Sequence, residues 1–200
     1  MASQKKNTAL VNSASAPAAL TTHKLRVAGK AQLNLAELEG AHLLQLSFFA
    51  DQQRAVSMAL KKQFGLPLPQ LSASEVQDGV TAIRVEFTKI WLLSKKPFAA
   101  LPESFQKFYP LEMTGSRSLI EISGEAGDAL LRRLTSADLR EQPGHCFATS
   151  IHHIPVHLLK TSETTTILLT PRSYAASLGG MVADIAHQFG CLISEPKPYR

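Results

Sequence analysis

Residues 167–190 constrain this chain more than any other segment: Ile167-Leu-Leu-Thr-Pro-Arg-Ser-Tyr-Ala-Ala-Ser-Leu-Gly-Gly-Met-Val-Ala-Asp-Ile-Ala-His-Gln-Phe-Gly190. Ile167, Leu168 and Leu169 form an apolar run of strand length. Thr170 then reads as a helix N-cap and Pro171 as the first helical residue, where a missing N–H costs nothing. Tyr174, Leu178, Met181, Val182, Ile185 and Phe189 recur near the 3.6-residue period, so one face of this helix must be covered. Gly190 supplies the left-handed stop. Gly179 and Gly180 inside the helix cost about 1 kcal/mol each relative to alanine, which predicts another backbone lying close to them. A buried strand leading directly into a half-buried helix requires a sheet for the first and a second layer for the other.

Upstream the same alternation recurs. Leu33–Leu38 and His42–Phe49 are strand candidates flanking Gly40, a pattern that predicts a hairpin. Asp51 is placed to cap a helix over 52–64, with Val56, Leu60 and Phe64 on one side and Gly65 at its end. Leu66–Pro69 and Ser72–Gly79 read as a loop. Thr81–Phe87 alternates, which sends Ile83, Val85 and Phe87 to a core and Arg84 and Glu86 to water. Ile90–Leu93 is a short apolar strand containing Trp91. Pro102 opens a brief helix carrying Phe105 and Phe108, and Pro110 ends it. A second cycle follows: a strand over Ser118–Ile122, a turn at Ser123-Gly124, and a helix over 125–134 with Leu130, Leu131 and Leu134 inward. Strands over Cys146–Ile151, Ile154–Leu159 and Thr165–Leu169 precede the last helix. The links are too short for parallel crossovers, so the fold class is α+β with mostly antiparallel sheet and helices on one face. Residues 1–22 read as a disordered tail. Residues 23–200 read as one domain of two halves, about 23–110 and 111–200.

The net charge of +5 belongs to the tail. Lys5, Lys6, Lys24, Arg26 and Lys30 meet no acid before residue 31, and beyond it basic and acidic residues balance. A nucleic-acid binder gathers its positive charge on the fold itself, so nucleic acid is not an expected partner. No apolar run reaches the length of a membrane span, and the stretch Ala41–Ala50 is broken by His42, Gln45 and Ser47. Lys5-Lys6 before Ala9–Leu20 has the outline of an export signal, but Asn12, Ser13, Ser15 and Pro17 interrupt its core. Two cysteines, Cys146 and Cys191, give no disulfide framework and fit a reducing, cytoplasmic setting.

Candidate chemistry is sparse. His145-Cys146 and His152-His153-(x3)-His157 contain ligand-type side chains, yet Pro155 interrupts them and the spacing matches no zinc motif. Cys146 and His145 are neighbours on a strand and point to opposite faces, which makes them poor partners for nucleophilic work. Glu121, Glu125 and Asp128 fit a solvated strand face and the first turn of a helix. Gly115-Ser-Arg-Ser and Ser123-Gly-Glu-Ala-Gly127 are turns, not phosphate cradles. No catalytic, cofactor-binding or metal-binding residue is assigned. Arg172 is the exception to this blandness. Near a helix N-terminus it opposes the macrodipole, so Arg172, with Ser173 and Tyr174, is a candidate contact for a carboxylate or carbonyl on a partner.

Pro171-Arg-Ser-Tyr-Ala175 after Ile167-Leu-Leu169 resembles the last helix of the gamma subunit family of heterotetrameric sarcosine oxidase. Ser118-Leu-Ile-Glu-Ile-Ser-Gly124, Leu130-Leu131 and Ala137-Asp138-Leu139 are similar to an upstream block of that family. Pro143-Gly-His-Cys-Phe-Ala-Thr149, Ile154-Pro-Val-His-Leu158 and Arg84–Leu93 are similar to three of its strands. Phe87-Thr-Lys-Ile90 departs from the Gly-Pro-Asp-Glu-like turn of many members. The resemblance covers roughly residues 80–190. It implies two interlocked subdomains like the folate-binding domain of aminomethyltransferases. It also implies a non-catalytic subunit assembled with alpha, beta and delta partners that oxidatively demethylate sarcosine. FAD, FMN, NAD, tetrahydrofolate and zinc would then sit in those partners. Two alternatives accompany this reading: a gamma-type subunit of a related enzyme such as N-methylglutamate dehydrogenase, and a stand-alone folate-binding protein of the aminomethyltransferase type.

Overall fold

The computed structural model describes residues 32–98, 101–138 and 142–200, so the tail expected over 1–22 and Leu139 lie outside the described residues. The first part of the chain supplies β1 (Leu33–Glu39), β2 (His42–Ser47), α1 (Gln53–Phe64), β3 (Ser74–Gln77), β4 (Val80–Glu86), β5 (Lys89–Ser94) and β6 (Leu111–Glu112). The rest supplies β7 (Arg117–Ser123), α2 (Gly127–Leu134), β8 (Cys146–Ile151), β9 (Ile154–Ser162), β10 (Thr165–Pro171), α3 (Ala175–Ala186), β11 (Cys191–Ile193) and β12 (Lys197–Pro198). Short 3-10 turns occupy Ala50–Gln52, Glu103–Phe108, Arg172–Tyr174 and His187–Phe189.

These strands form two sheets. The larger runs β11-β1-β7-β10-β9-β8, with β12 also paired to β1; the smaller runs β3-β4-β5-β2-β6. Pairing is antiparallel except where β11 and β12 lie parallel to β1. The sheets pack face to face, and each carries helices on its outer side. Leu33, Leu35, Ile120, Ile122 and Leu168 meet Leu130, Leu131, Leu178 and Val182 of α2 and α3. Leu44, Leu46, Ala82, Ile90 and Leu92 meet Val56 and Leu60 of α1, with Phe105 and Phe108 beside them. Between the sheets, Leu43, Ile83, Trp91 and Leu93 pack on Leu119, Leu159, Ile167 and Leu169. The result is a helix–sheet–sheet–helix sandwich, in accord with the α+β expectation.

One expectation fails instructively. β1 and β2 do not pair as a hairpin: β1 sits in the larger sheet against β7, while β2 sits in the smaller one against β5 and β6. Their apolar residues belong to different layers, Leu33 and Leu35 under α2 and α3, and Leu44 and Leu46 under α1. Gly40, at φ +71°, lets the chain cross between sheets in one step. The sheets also join along one edge. Ser74 N–H donates to Gly144 O at 2.6 Å and Cys146 N–H to Ser72 O at 2.8 Å.

Other differences have local causes. Residues 72–79 are not simply loop, because β3 pairs with β4 through a two-residue turn at Asp78-Gly79, both with positive φ. An Asp-Gly pair is a strong hairpin signal, and here it explains the turn. Asp51 does not cap α1; the Gln52 carboxamide instead accepts from Phe49 N–H at 2.9 Å. Arg84 does not face water: it is 7% exposed, because α1 covers that side of the sheet. Its guanidinium donates to Gln53 Oε1 at 2.9 Å, Phe87 O at 2.7 Å and Pro69 O at 3.3 Å, which replaces the lost hydration. Phe87 takes the exposed place instead. Thr170 and Pro171 end β10 rather than open the helix, and α3 begins only at Ala175 after a 3-10 turn.

The two helical glycines separate. Gly179 is buried, whereas a Cβ on Gly180 would meet nothing within 4 Å, so no close backbone explains that residue. At Gly124 the reverse holds: φ is +119°, and a Cβ would lie 2.3 Å from Gln32 O, where the chain enters β1. We expect Gly180→Ala to raise unfolding free energy by about 0.5–1 kcal/mol. Gly124→Ala is expected to lower it by about 3 kcal/mol. Urea unfolding of the two variants beside the parent checks both signs.

Candidate functional site

A polar cluster lies between the sheets, centred on the buried Trp91 of β5. The ring is buried, but its indole N–H donates to Gln45 Oε1 at 3.0 Å. His157 of β9 lies against it with ring centroids 4.6 Å apart. The Arg117 guanidinium at the start of β7 covers the ring, 5.0 Å from its centroid, and donates to Ser116 O at 3.3 Å. Strand alternation produces this cluster: Gln45 and Trp91 oppose each other in the β2–β5 register, and both point across to the larger sheet. Glu86 lies near enough to act on His157, but Lys89 already pairs with it at 2.7 Å.

The electrostatics follow from burial. His157 is pushed down from 6.5 to about 4, first by loss of hydration and then by the Arg117 charge, with Glu86 opposing. It is therefore neutral near pH 7. Burial also lowers Arg117 somewhat, and it stays a cation stacked on an indole, an arrangement in which the ring quadrupole partly replaces water. Burial pushes Cys146 up to about 12 and Cys191 up to about 11, so both remain thiols, not thiolates, at neutral pH.

The sequence candidates scatter. Cys146 faces the core between the sheets, and His145 stacks beside Phe147 at 5.7 Å. His152 and His153 form the exposed β8–β9 turn, both with positive φ. Among the described residues no three His, Cys, Asp or Glu side chains gather as metal ligands. Glu121 is paired to Lys197 at 2.6 Å, and Asp128 to the largely buried Lys160 at 2.6 Å, so both tie helices or strands together. At the opposite end of the sandwich a cavity of about 450 Å³ is lined by Thr81, Glu121, Thr161, Lys197 and Tyr199, among others. Tyr199 and Thr81 exchange a hydrogen bond there at 3.0 Å.

Arg172, Ser173 and Tyr174 are exposed on the 3-10 turn that follows β10, and Arg172 N–H donates to Ser116 O at 3.0 Å. The structure therefore sets this exposed turn beside the segment that leads into Arg117. Sequence reasoning missed Gln45 and Arg117, since each looks like an ordinary surface residue until two sheets are superposed. Trp91 was legible as core, but its polar companions were not.

The helix–sheet–sheet–helix sandwich recurs in an aminomethyltransferase. The glycine cleavage system aminomethyltransferase T from Bartonella henselae superposes with a TM-score of 0.61 at 11% identity, over 84% of this chain and 48% of that one. The nearer likeness is to sarcosine oxidase and its gamma subunit. A chain of the heterotetrameric sarcosine oxidase from Corynebacterium sp. U-96, solved in complex with pyrrole 2-carboxylate, superposes with a TM-score of 0.71 at 22% identity, over 82% of this chain and 88% of that one. Sarcosine oxidase subunit gamma of Corynebacterium sp. (strain P-1) is 29% identical over 154 residues, 69% of this chain and 71% of that one. No family profile matches the chain. The resemblance read from residues 80–190 thus recurs in an independent sequence match and in the fold.

His157 yields a stability prediction. Its folded pKa lies below the unfolded value, so between about 4 and 6.5 the unfolded chain binds more protons. The stability it supports is complete above 6.5 and is lost as the pH falls toward 4. Melting temperature followed from pH 7 to pH 4 should fall more steeply for the parent than for His157→Gln. Parallel curves would show that this histidine is not buried in its neutral form.

Proposed function

We propose that this chain is a structural subunit of a heterotetrameric sarcosine oxidase, occupying the gamma position. In this reading it supports oxidative demethylation of sarcosine to glycine by flavin-bearing alpha and beta subunits, with a delta subunit completing the assembly. One observation carries the reading: sequence and fold both match a single kind of protein, and the fold match spans most of that chain. FAD, FMN, NAD, tetrahydrofolate and zinc belong, in this reading, to the partners. The setting is cytoplasmic. Two buried free thiols agree with it, and among the described residues no helix is long and apolar enough to cross a membrane.

The chemistry of the Trp91 cluster supports a role in shape. Its histidine is neutral at pH 7, and the two cysteines, buried in separate core layers, are not ionised, so none of them poises a proton transfer near neutrality. Arg117, Trp91, Gln45 and His157 instead hold one another across the two sheets. That is the work of a scaffold.

Coexpression of the full chain with candidate alpha, beta and delta subunits should give one stable complex that oxidises sarcosine, while the chain alone carries no flavin absorbance and no turnover. A chain that stays monomeric beside all three partners contradicts the reading. So does tight binding of tetrahydrofolate by the chain alone in a calorimetric titration, which would favour a stand-alone folate-binding protein.

A further inference from the structure

Chain termini fray unless something ties them down, and residues 194–200 are tied at several points. Ser194 N–H donates to Leu35 O at 2.9 Å, and its hydroxyl donates to Asn34 Oδ1 at 2.6 Å. Lys197 pairs with Glu121 at 2.6 Å. Tyr199 N–H donates to Glu39 O at 2.8 Å; the residue is only 6% exposed, and its hydroxyl shares a hydrogen bond with Thr81 at 3.0 Å. Between these anchors Glu195, Pro196 and Pro198 stay exposed.

What the segment covers is one edge of β1. β7 takes one side of that strand, while β11 takes the other side at Leu33–Leu35 and β12 takes it at Leu38–Glu39. Without the C-terminal segment, the far half of β1 would end the larger sheet with its backbone groups unpaired. β1 is a seven-residue strand, Leu-Asn-Leu-Ala-Glu-Leu-Glu, with no proline to interrupt pairing. Glu37 does not guard that edge with charge, because its carboxylate is buried and accepts from the Ser118 hydroxyl at 3.1 Å. Such a strand is a template for another chain.

The covering segment is itself unsuited to pairing. Tyr199 turns its N–H toward β1, so the two-residue period of a strand turns Pro198 outward and puts Pro196 at the next outward position. Proline has no N–H to offer there. β12 is only two residues long, and Glu195 and Lys197 place charge beside the prolines. Short length, lysine and proline are the devices by which sheets close their edges. Covering β1 alone does not require them, since any extended segment would do that.

We propose that residues 194–200 are an edge guard: they occupy the pairing edge of β1 with a segment whose outward prolines stop a second copy of this chain from adding to the larger sheet. A second copy is the occupant held off because two identical strand edges complement each other when they run antiparallel about a two-fold axis. The inference goes beyond the subunit reading and does not depend on it.

Pro196→Thr/Pro198→Thr supplies the missing N–H groups and keeps Lys197 and Tyr199, so its fold is retained, which an unchanged melting temperature checks. Sedimentation at micromolar concentrations should hold the parent at one mass while this variant rises toward about twice that mass. Amide exchange over residues 195–199 of the variant should slow as its concentration rises. A chain ending at Ile193 should associate in the same way, with the slowing over residues 36–39. A proline variant that sediments as the parent does at every concentration overturns the proposal, as does association that leaves exchange over residues 195–199 unchanged. A folded chain ending at Ile193 that does not associate overturns it too.

Discussion

Everything in this molecule depends on two sheets covering each other's inner faces. Leu43, Ile83, Trp91 and Leu93 from one sheet, and Leu119, Leu159, Ile167 and Leu169 from the other, leave water together. Because each sheet then needs a second cover, α1 must lie outside one and α2 with α3 outside the other. Burying an apolar side chain of this size contributes about 1.5–3 kcal/mol. An inner layer of eight such residues therefore outweighs any single hydrogen bond or ion pair here. The sheets cannot separate without exposing all of them. That is why β1 leaves its sequence neighbour β2 and joins the larger sheet: the crossing at Gly40 stitches the halves together.

Polar groups appear where this packing ends. At one end the sandwich is capped by the C-terminal segment, with Lys197 on Glu121 and Tyr199 on Thr81. Toward the other, Arg117, His157 and Gln45 surround the buried Trp91. Low hydration keeps His157 neutral and the cysteines protonated. Reactivity is therefore muted inside.

Much of this was legible in the sequence. β4, β5 and β7 to β10, α1 and α2 follow from alternation, periodicity and glycine stops, since those signals depend on near neighbours alone. The hairpin at Asp78-Gly79 is signalled by its dipeptide, while the short, mostly exposed β3 carries no apolar alternation of its own. What could not be read were facts about layers. Arg84 alternates like a surface residue, and only the overlying α1 makes that face an interior one. Gly40 looks like a hairpin turn, because local pattern does not say which sheet each flanking strand will join. Gln45 and Arg117 lie 72 positions apart, and only the stacking of two sheets brings both to one indole. Arg172 stands exposed on the turn before α3, and its closeness to Arg117 comes only from the structure.

Hydrogen–deuterium exchange of this chain, alone and within the assembled enzyme, tests the central claim most directly. The account predicts that the two sheets exchange slowest in the chain alone, keep that protection in the assembly, and gain new protection only in exposed segments. Exchange that is identical in the two samples, or sheets that exchange as fast as the exposed segments in the chain alone, would contradict it.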